Sequence, residues 1–301
     1  MTTPRPSFWR IWWLASRPRT LPAAAAPVIA GSALAFADGR FQAGPALAAL
    51  MGALLIQIAT NFANDVFDYK KGADTAERVG PTRATSAGWV TPGQMWAATL
   101  LTFGLAVVCG LYLTWVGGWP IVLIGLASIA AGLAYTGGPF PLGYNGLGDV
   151  FVFIFFGLVA VGGTYYVQAG EPTALVWWVA VGLGLLCVNI IVVNNLRDIE
   201  TDRKAGKRTL AVRLGAAAAR WQYVLCQAGA FLAMLGAWVM GVGSPWIMLT
   251  WALLPLSIRW ARFVWRENGR ALNPALAASG QLELFYALLA SLGLVIATAI
   301  G

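Results

Sequence analysis

Long apolar stretches alternate with short polar segments along the whole chain. The apolar stretches run to roughly 17–23 residues, the length an α-helix needs to cross the hydrocarbon core of a bilayer. Nine spans are predicted, at about 20–38, 45–63, 96–117, 119–136, 149–168, 174–194, 218–240, 244–264 and 281–300. Pro255 and Arg259 interrupt the eighth. Proline is tolerated there when neighbouring groups satisfy the freed carbonyl. The expected fold is all-α, a polytopic membrane protein with one domain covering residues 1–301. The opening segment, MTTPRPSFWRIWWLASRPRT, is basic and aromatic and lacks the apolar core of a cleaved signal peptide.

The polar segments orient the bundle. With the N-terminus on the cytoplasmic side, nineteen of the twenty Lys and Arg residues fall on inside segments, and Arg40 alone falls outside. Such a split is a strong form of the positive-inside rule. It predicts a multi-pass protein with its N-terminus inside; the membrane expected is the bacterial plasma (inner) membrane. The outside loops are short, whereas the inside loops after spans two and six are long. Long ordered loops usually carry function, so the active face is expected to be cytoplasmic.

Composition then narrows the chemistry. The chain is 59% hydrophobic and 11% charged, with a mean hydropathy of +0.70. The formal net charge of +8 is accounted for by helix orientation and contact with anionic membrane lipid. A nucleic-acid partner is not expected. Cys109, Cys187 and Cys226 lie within predicted spans, without metal-ligand spacing, and the chain contains no His. A His general base and most zinc sites are therefore excluded. Trp residues cluster near span ends, as interfacial indoles do.

Seven of the twelve acids fall in two inside loops. The first, NFANDVFDYKKGAD (61–74), continues span two. Asn61, Asp65 and Asp68 share one face of a continuing helix, with Asn64 at its edge. The second, NNLRDIETDRKAGKRT (194–209), continues span six and places Asn195, Asp198 and Asp202 on one helical face. A shift of 134 residues aligns Asn61 with Asn195, Asp68 with Asp202, Lys70 with Lys204, Gly72 with Gly206 and Thr75 with Thr209. Both loops emerge on one side, which suggests a helical bundle used twice as a pseudo-repeat.

A solvated helix end would explain either loop alone. Together they concentrate negative charge that would repel strongly at a membrane rim unless cations intervene. Carboxylates and Asn carbonyls are hard oxygen ligands suited to Mg²⁺, which tends to be completed by substrate phosphates. Lys71, Arg78, Arg83, Lys207 and Arg208 are placed to hold further phosphate oxygens. A diphosphate at the rim of an apolar bundle implies a lipid tail, and an allylic prenyl diphosphate fits. Metal on the leaving diphosphate would assist C–O ionisation. The carbocation then needs a dry, aromatic pocket.

The pair NDxxDxxxGxD (Asn64, Asp65, Asp68, Gly72, Asp74) and DxxxDxxxGK (Asp198, Asp202, Gly206, Lys207) resembles the UbiA superfamily of intramembrane prenyltransferases. The segments SRPRTLPAAAAPVIAGSALA (16–35), RVGPTRATSAG (78–88), YTGGPFPLGYNGLGD (135–149) and TLAVRLG (209–215) are similar to its branch acting on 1,4-dihydroxy-2-naphthoate. Glycine at 72, where many members carry an acid, with the acid at Asp74, matches that branch. The resemblance implies nine helices, Mg²⁺ dependence and transfer of a polyprenyl group to 1,4-dihydroxy-2-naphthoate with loss of CO₂, giving a demethylmenaquinone.

It further implies that Asn61, Asn64, Asp65, Asp68, Asp198 and Asp202 form the metal and diphosphate site. Asp65, Asp68, Asp198, Asp202 and Asn64 would be the metal ligands, and Asp74 a further member. Arg83 and Lys207 are the first candidates for phosphate contacts, joined by Lys71, Arg78, Arg17 and Arg19. In the 135–149 loop, Tyr135, Tyr144 and Asp149 are candidates to shape the acceptor pocket or take a phenolic proton. The plainer reading of that loop is a Gly/Pro turn with Asp149 capping span five.

A transporter would also use intramembrane polar residues and paired repeats, but such sites lie near the midplane, whereas these acids crowd one rim. A CDP-alcohol phosphotransferase would pack its acids into one compact motif. Another quinone head group in place of the naphthoate stays open.

Overall fold

The computed structural model describes residues 6–72, 79–80 and 82–300. Among these, all regular structure is helical. Nine helical segments are long and apolar enough to cross a membrane: Phe8–Ala37, Ala43–Lys70, Pro92–Gly117, Trp119–Thr136, Gly148–Ala169, Ala174–Arg197, Leu210–Val239, Pro245–Arg266 and Gly269–Ile300. The number matches the sequence reading. Several spans are longer than expected because polar residues continue the helix past the apolar run, as in the Asn- and Asp-bearing turns up to Lys70.

Twelve α-helices make up these spans and their caps. Span one is α1 (Phe8–Ala15) and α2 (Leu21–Ala37), separated by a turn at Pro18–Thr20. Arg17 opens that turn with φ 52°, a left-handed geometry that non-glycine residues rarely adopt. Spans two to four are α3 (Ala43–Lys70), α4 (Pro92–Gly117) and α5 (Trp119–Thr136). Span five begins as α6 (Gly148–Val152), widens to a π-helical stretch over Phe153–Val159 and ends as α7 (Ala160–Ala169). Span six is α8 (Ala174–Arg197), followed by the short α9 (Ile199–Lys204) and then α10 (Leu210–Val239). Span eight starts as a 3₁₀ stretch over Pro245–Leu253, where Pro255 follows, and becomes α11 (Leu254–Arg266). The last span runs into α12 (Asn273–Ile300).

α8 is the central post and packs against α7, α10, α12 and the π-helical stretch. Small residues allow the closest crossing. A Cβ on Gly157 would lie 2.7 Å from Gly184 Cα, so the two backbones meet without side chains between them. Around this post, Leu34, Val161, Leu183, Phe231, Met234 and Tyr286 form the main buried cluster. In the bilayer such packing acts through close van der Waals fit, because lipid tails are as apolar as the core.

The rim opposite the acidic loops is fastened by polar contacts. Arg40 donates to Ala169 O at 2.8 Å, Gln42 donates to Gln168 O at 2.7 Å, and the Tyr165 hydroxyl donates to Asp38. The ends of α3, α5 and α8 converge at the other rim, where the candidate site lies.

Candidate active site

Two of the acid-bearing segments meet in one polar pocket of about 100 Å³. α3 supplies Asn64 and Asp68, the end of α8 and α9 supply Asn194, Asn195, Asp198, Thr201 and Asp202, and the next turn supplies Lys207. Arg17, Arg83, Tyr135 and Tyr144 complete the wall. The first motif is the continuous helix its spacing predicts. The second is not: the chain bends at Asp198, which ends α8 and begins α9 with φ −97° and ψ 8°. The bend turns Asp202 back toward α3, so one pocket collects acids from both motifs.

Asp68 is the hub. It is 2% exposed and pairs with Arg83, while its other oxygen accepts the Tyr144 hydroxyl. Lys207 Nζ lies 4.0 Å from Asp68 and 3.5 Å from Asp202. Lys71 and Lys207 sit over the Tyr144 ring, at 4.7 Å and 4.6 Å from its centre, so two cation–π contacts share one ring. Lys71 also donates to Thr136 O at 2.6 Å, and Thr136 donates to Asn64 Oδ1 at 2.6 Å. Burial lowers the Lys71 ammonium below its ordinary range; Asp68 opposes that shift and Lys207 adds to it. Asp202 is pushed up to about 6, first by burial; Lys207 opposes the shift and Asp198 reinforces it.

The other candidates are held differently. Asp65 accepts the backbone N–H of Ala84 at 3.0 Å and of Thr85 at 3.1 Å, so its carboxylate clamps the loop that carries Arg83. Arg83 in turn donates to Asn64 O at 2.6 Å. Asn61 donates to Ser16 O and Thr20 Oγ1, which ties α3 to the turn after Arg17. Asp198 is gripped by its neighbour: Arg197 Nε and Nη2 reach its two oxygens at 2.8 Å and 2.6 Å. Tyr144, expected on the acceptor side, stands on the acidic side. Asp149 lies in the first turn of α6, makes no capping bond, and accepts instead from Gln222 at 3.0 Å. Arg19 is exposed and borders the adjoining cavity. Asp74 and Arg78 lie outside the described residues.

Arg197, Asn194, Thr136 and Gln222 escaped the sequence reading as site residues. Arg197 and Asn194 carried a signal, since they sit within the NNLRD segment; Arg197 is 4% exposed and also donates to Asn273 at 3.1 Å. Gln222 carried none, being 73 residues from Asp149.

Beside the polar pocket lies a far larger cavity of about 780 Å³. Its walls are mostly apolar and come from α2, α3, α4, α5, the π-helical stretch and α8, with Val28, Ile56, Leu111, Ile129, Phe155 and Ile190 among them. Arg17, Asn64, Arg83, Tyr135 and Asn194 border both spaces. The two are therefore one continuous site, with a charged head compartment at the rim and an apolar compartment within the bundle.

Among the described residues no three acidic, Cys or His side chains converge as a ready-made metal cage. Asp68, Asp198 and Asp202 nevertheless share the pocket with Asn64 and Asn194. This hard-oxygen set suits Mg²⁺, which is typically held by one or two carboxylates and completed by substrate phosphates. The cations alongside are matched to a phosphate-bearing ligand.

Fold and site together define a membrane-embedded protein built to hold an amphiphile with an anionic head and an apolar tail. The chain belongs to the UbiA prenyltransferase family, whose sequence profile matches residues 24–289. It is 37% identical over 297 residues to a Haemophilus influenzae protein named 1,4-dihydroxy-2-naphthoate octaprenyltransferase, covering 95% of this chain and 96% of the relative. It is 39% identical over 280 residues to the Mycobacterium tuberculosis protein of the same name, covering 92% and 94%. A UbiA homologue from Archaeoglobus fulgidus, solved with DMAPP and Mg²⁺, superposes with a TM-score of 0.67 at 14% identity over 95% of this chain and 99% of that one. At that identity the likeness concerns the fold.

Proposed function

We propose that this protein transfers a polyprenyl group from an allylic diphosphate to 1,4-dihydroxy-2-naphthoate, releasing diphosphate and CO₂ and giving a demethylmenaquinone. The observation that carries this reading is the junction of an acid- and base-lined pocket with an apolar cavity inside one bundle. The names of the two relatives supply the acceptor. The bacterial origin of the relatives supports a bacterial inner-membrane location, and the basic-residue distribution supports a site on the cytoplasmic face.

Asp68, Asp198 and Asp202, with Asn64, would hold Mg²⁺, which when bound neutralises the diphosphate and assists its departure. Arg83, Lys207 and Lys71 take diphosphate oxygens. Their grip strengthens as negative charge builds on the leaving group, and that differential lowers the barrier. The C–O bond breaks with its electron pair going to diphosphate. The ring carbon bearing the carboxylate then forms the new C–C bond. Loss of CO₂ returns its bonding pair to the ring, so carbon transfer itself releases no proton. The apolar walls keep water from capturing the cation. Tyr135 borders both compartments and would orient the acceptor's oxygens.

Tyr135→Phe is expected to lower turnover roughly tenfold, the worth of one hydrogen bond of about 1.4 kcal/mol, with KM for the diphosphate unchanged. Steady-state kinetics at varied donor and acceptor would check this. Unchanged turnover would remove Tyr135 from the acceptor site.

Asp202 sets a pH dependence. Its folded-state pKa of about 6 lies above the ordinary value of 3.8, so between those limits the metal-free folded protein binds more protons than the unfolded chain. Its contribution to stability is present at low pH and is lost as pH rises through 6. Mg²⁺ binding requires the ionised form and runs the other way. The Mg²⁺-induced rise in Tm should be larger at pH 7.5 than at pH 5; an equal rise at both would remove Asp202 from the metal site.

The direct test is purified protein with Mg²⁺, a polyprenyl diphosphate and the naphthoate, with the product identified by mass. Turnover only with another aromatic acceptor, such as 4-hydroxybenzoate, would retain the diphosphate site and overturn the naphthoate assignment.

A further inference from the structure

α11 presents three arginines outward within its length. Arg259, Arg262 and Arg266, at i, i+3 and i+7, are all exposed, together with Ile258 and Trp265. At 1.5 Å per residue the three guanidinium groups are spread over about 10 Å of helix, from the rim inward. None of them borders the polar pocket or the apolar cavity. Among the described residues none forms an ion pair, although Glu267 follows directly in the chain. The face is also ordered. Trp265 packs edge-on against Trp221 of α10, with ring centres 5.0 Å apart at 79°, and the Arg259 guanidinium lies 5.9 Å from the Trp260 ring centre. Arg220 ties the two helices together, donating from Nε to Val264 O at 3.2 Å and from Nη2 to Asn268 Oδ1 at 2.8 Å.

Arginines facing lipid below the rim are costly unless their charge is met, and they reach toward the headgroup layer to meet it. We propose that this face of α11, with the exposed Trp221 and Leu225 of α10 beside it, is a binding site for an anionic phospholipid. The phosphodiester would be held by the forks of Arg262 and Arg266, with Arg259 deeper. An acyl chain would lie along Ile258, Trp265 and Leu225. A phosphodiester offers the paired oxygens that guanidinium groups bind bidentately. Net negative charge is required because a zwitterionic headgroup brings its own cation against three fixed cations. The site lies on the same rim as the diphosphate pocket but on a different wall of the bundle.

The test is native mass spectrometry and thermal shift of the whole protein in neutral detergent, with phosphatidylglycerol, phosphatidylcholine or inorganic phosphate added. The wild type should retain phosphatidylglycerol at least about tenfold more than phosphatidylcholine, each arginine near the headgroups adding to the preference. The triple variant Arg259→Gln/Arg262→Gln/Arg266→Gln should lose that preference while keeping turnover of a short prenyl diphosphate. Should the triple variant not fold, Arg262→Gln alone should still reduce the preference several-fold. Equal retention of both lipids by the wild type, or a preference surviving in the variants, would overturn the proposal. So would a thermal shift that inorganic phosphate reproduces in the wild type and that the triple variant loses.

Discussion

Asp68→Asn is expected to reduce turnover by roughly 10²–10³-fold, the scale of removing one preorganised electrostatic contact from a reacting centre, while leaving the protein folded. Asp68 is where the cations of the head compartment converge: Arg83 and Lys207 face it, and Tyr144 donates to it. The carboxamide is nearly isosteric, so packing survives while the charge that orders the cations, and that we propose gathers metal, does not. Asp65→Asn should behave differently. Its two oxygens accept Ala84 and Thr85 N–H groups, and an amide nitrogen in place of one oxygen would point a donor at a donor. The expected cost is about 1–3 kcal/mol of stability, seen as a lower Tm, with activity falling because the Arg83 loop loosens. Steady-state rates and melting curves on both variants separate the two roles. If Asp68→Asn kept more than about a tenth of wild-type turnover, Asp68 would not be a metal or diphosphate ligand.

Gly125→Trp is expected to change which donors are accepted. Gly125 borders the apolar cavity on α5, and a Cβ there meets no heavy atom within 4 Å. It lies ten residues, or about 15 Å, along the helix from Tyr135. An indole at this position fills the deeper part of the cavity without disturbing the head compartment. Dimethylallyl diphosphate should react at close to the wild-type rate. Long polyprenyl diphosphates should lose roughly tenfold or more in kcat/KM, because even one displaced methylene is worth a sizeable factor in such pockets. Equal losses for short and long donors would mean that the tail does not occupy this cavity.

Much of this architecture was legible in the chain. Nine apolar runs of bilayer length gave nine spans, because a membrane leaves the backbone little choice but helix. The first acidic motif was readable as one helical face because Asn61–Asp68 carries nothing that breaks a helix, and α3 continues through it to Lys70. The second motif has the same residue types, yet the chain bends at Asp198, whose carboxylate is taken by the adjacent Arg197. Spacing alone does not register such a local contest between side chain and helix. The break at Arg17 had a local signal in Pro18, which disfavours helix at the residue before it, whereas nothing in the segment marked the widening at Phe153–Val159. Partnerships across long sequence separations were the least legible. Asp149 with Gln222, Tyr144 with Asp68 and Asp65 with the Arg83 loop each depend on how the bundle closes. Residue type could nominate these groups as candidates, but it could not tell a pocket-lining acid such as Asp68 from a loop-clamping one such as Asp65.

The measurement that tests the account most directly is release of label from 1,4-dihydroxy-2-naphthoate carrying ¹⁴C in its carboxylate. Membranes containing the protein would receive Mg²⁺ and geranylgeranyl diphosphate, with Asp68→Asn and Asp198→Asn run alongside. The predicted result is ¹⁴CO₂ formed in step with prenylated product, dependent on Mg²⁺ and on the diphosphate, and lost in both variants. Release that persists in both variants, or no release by folded wild-type protein, would contradict decarboxylative prenyl transfer at this site.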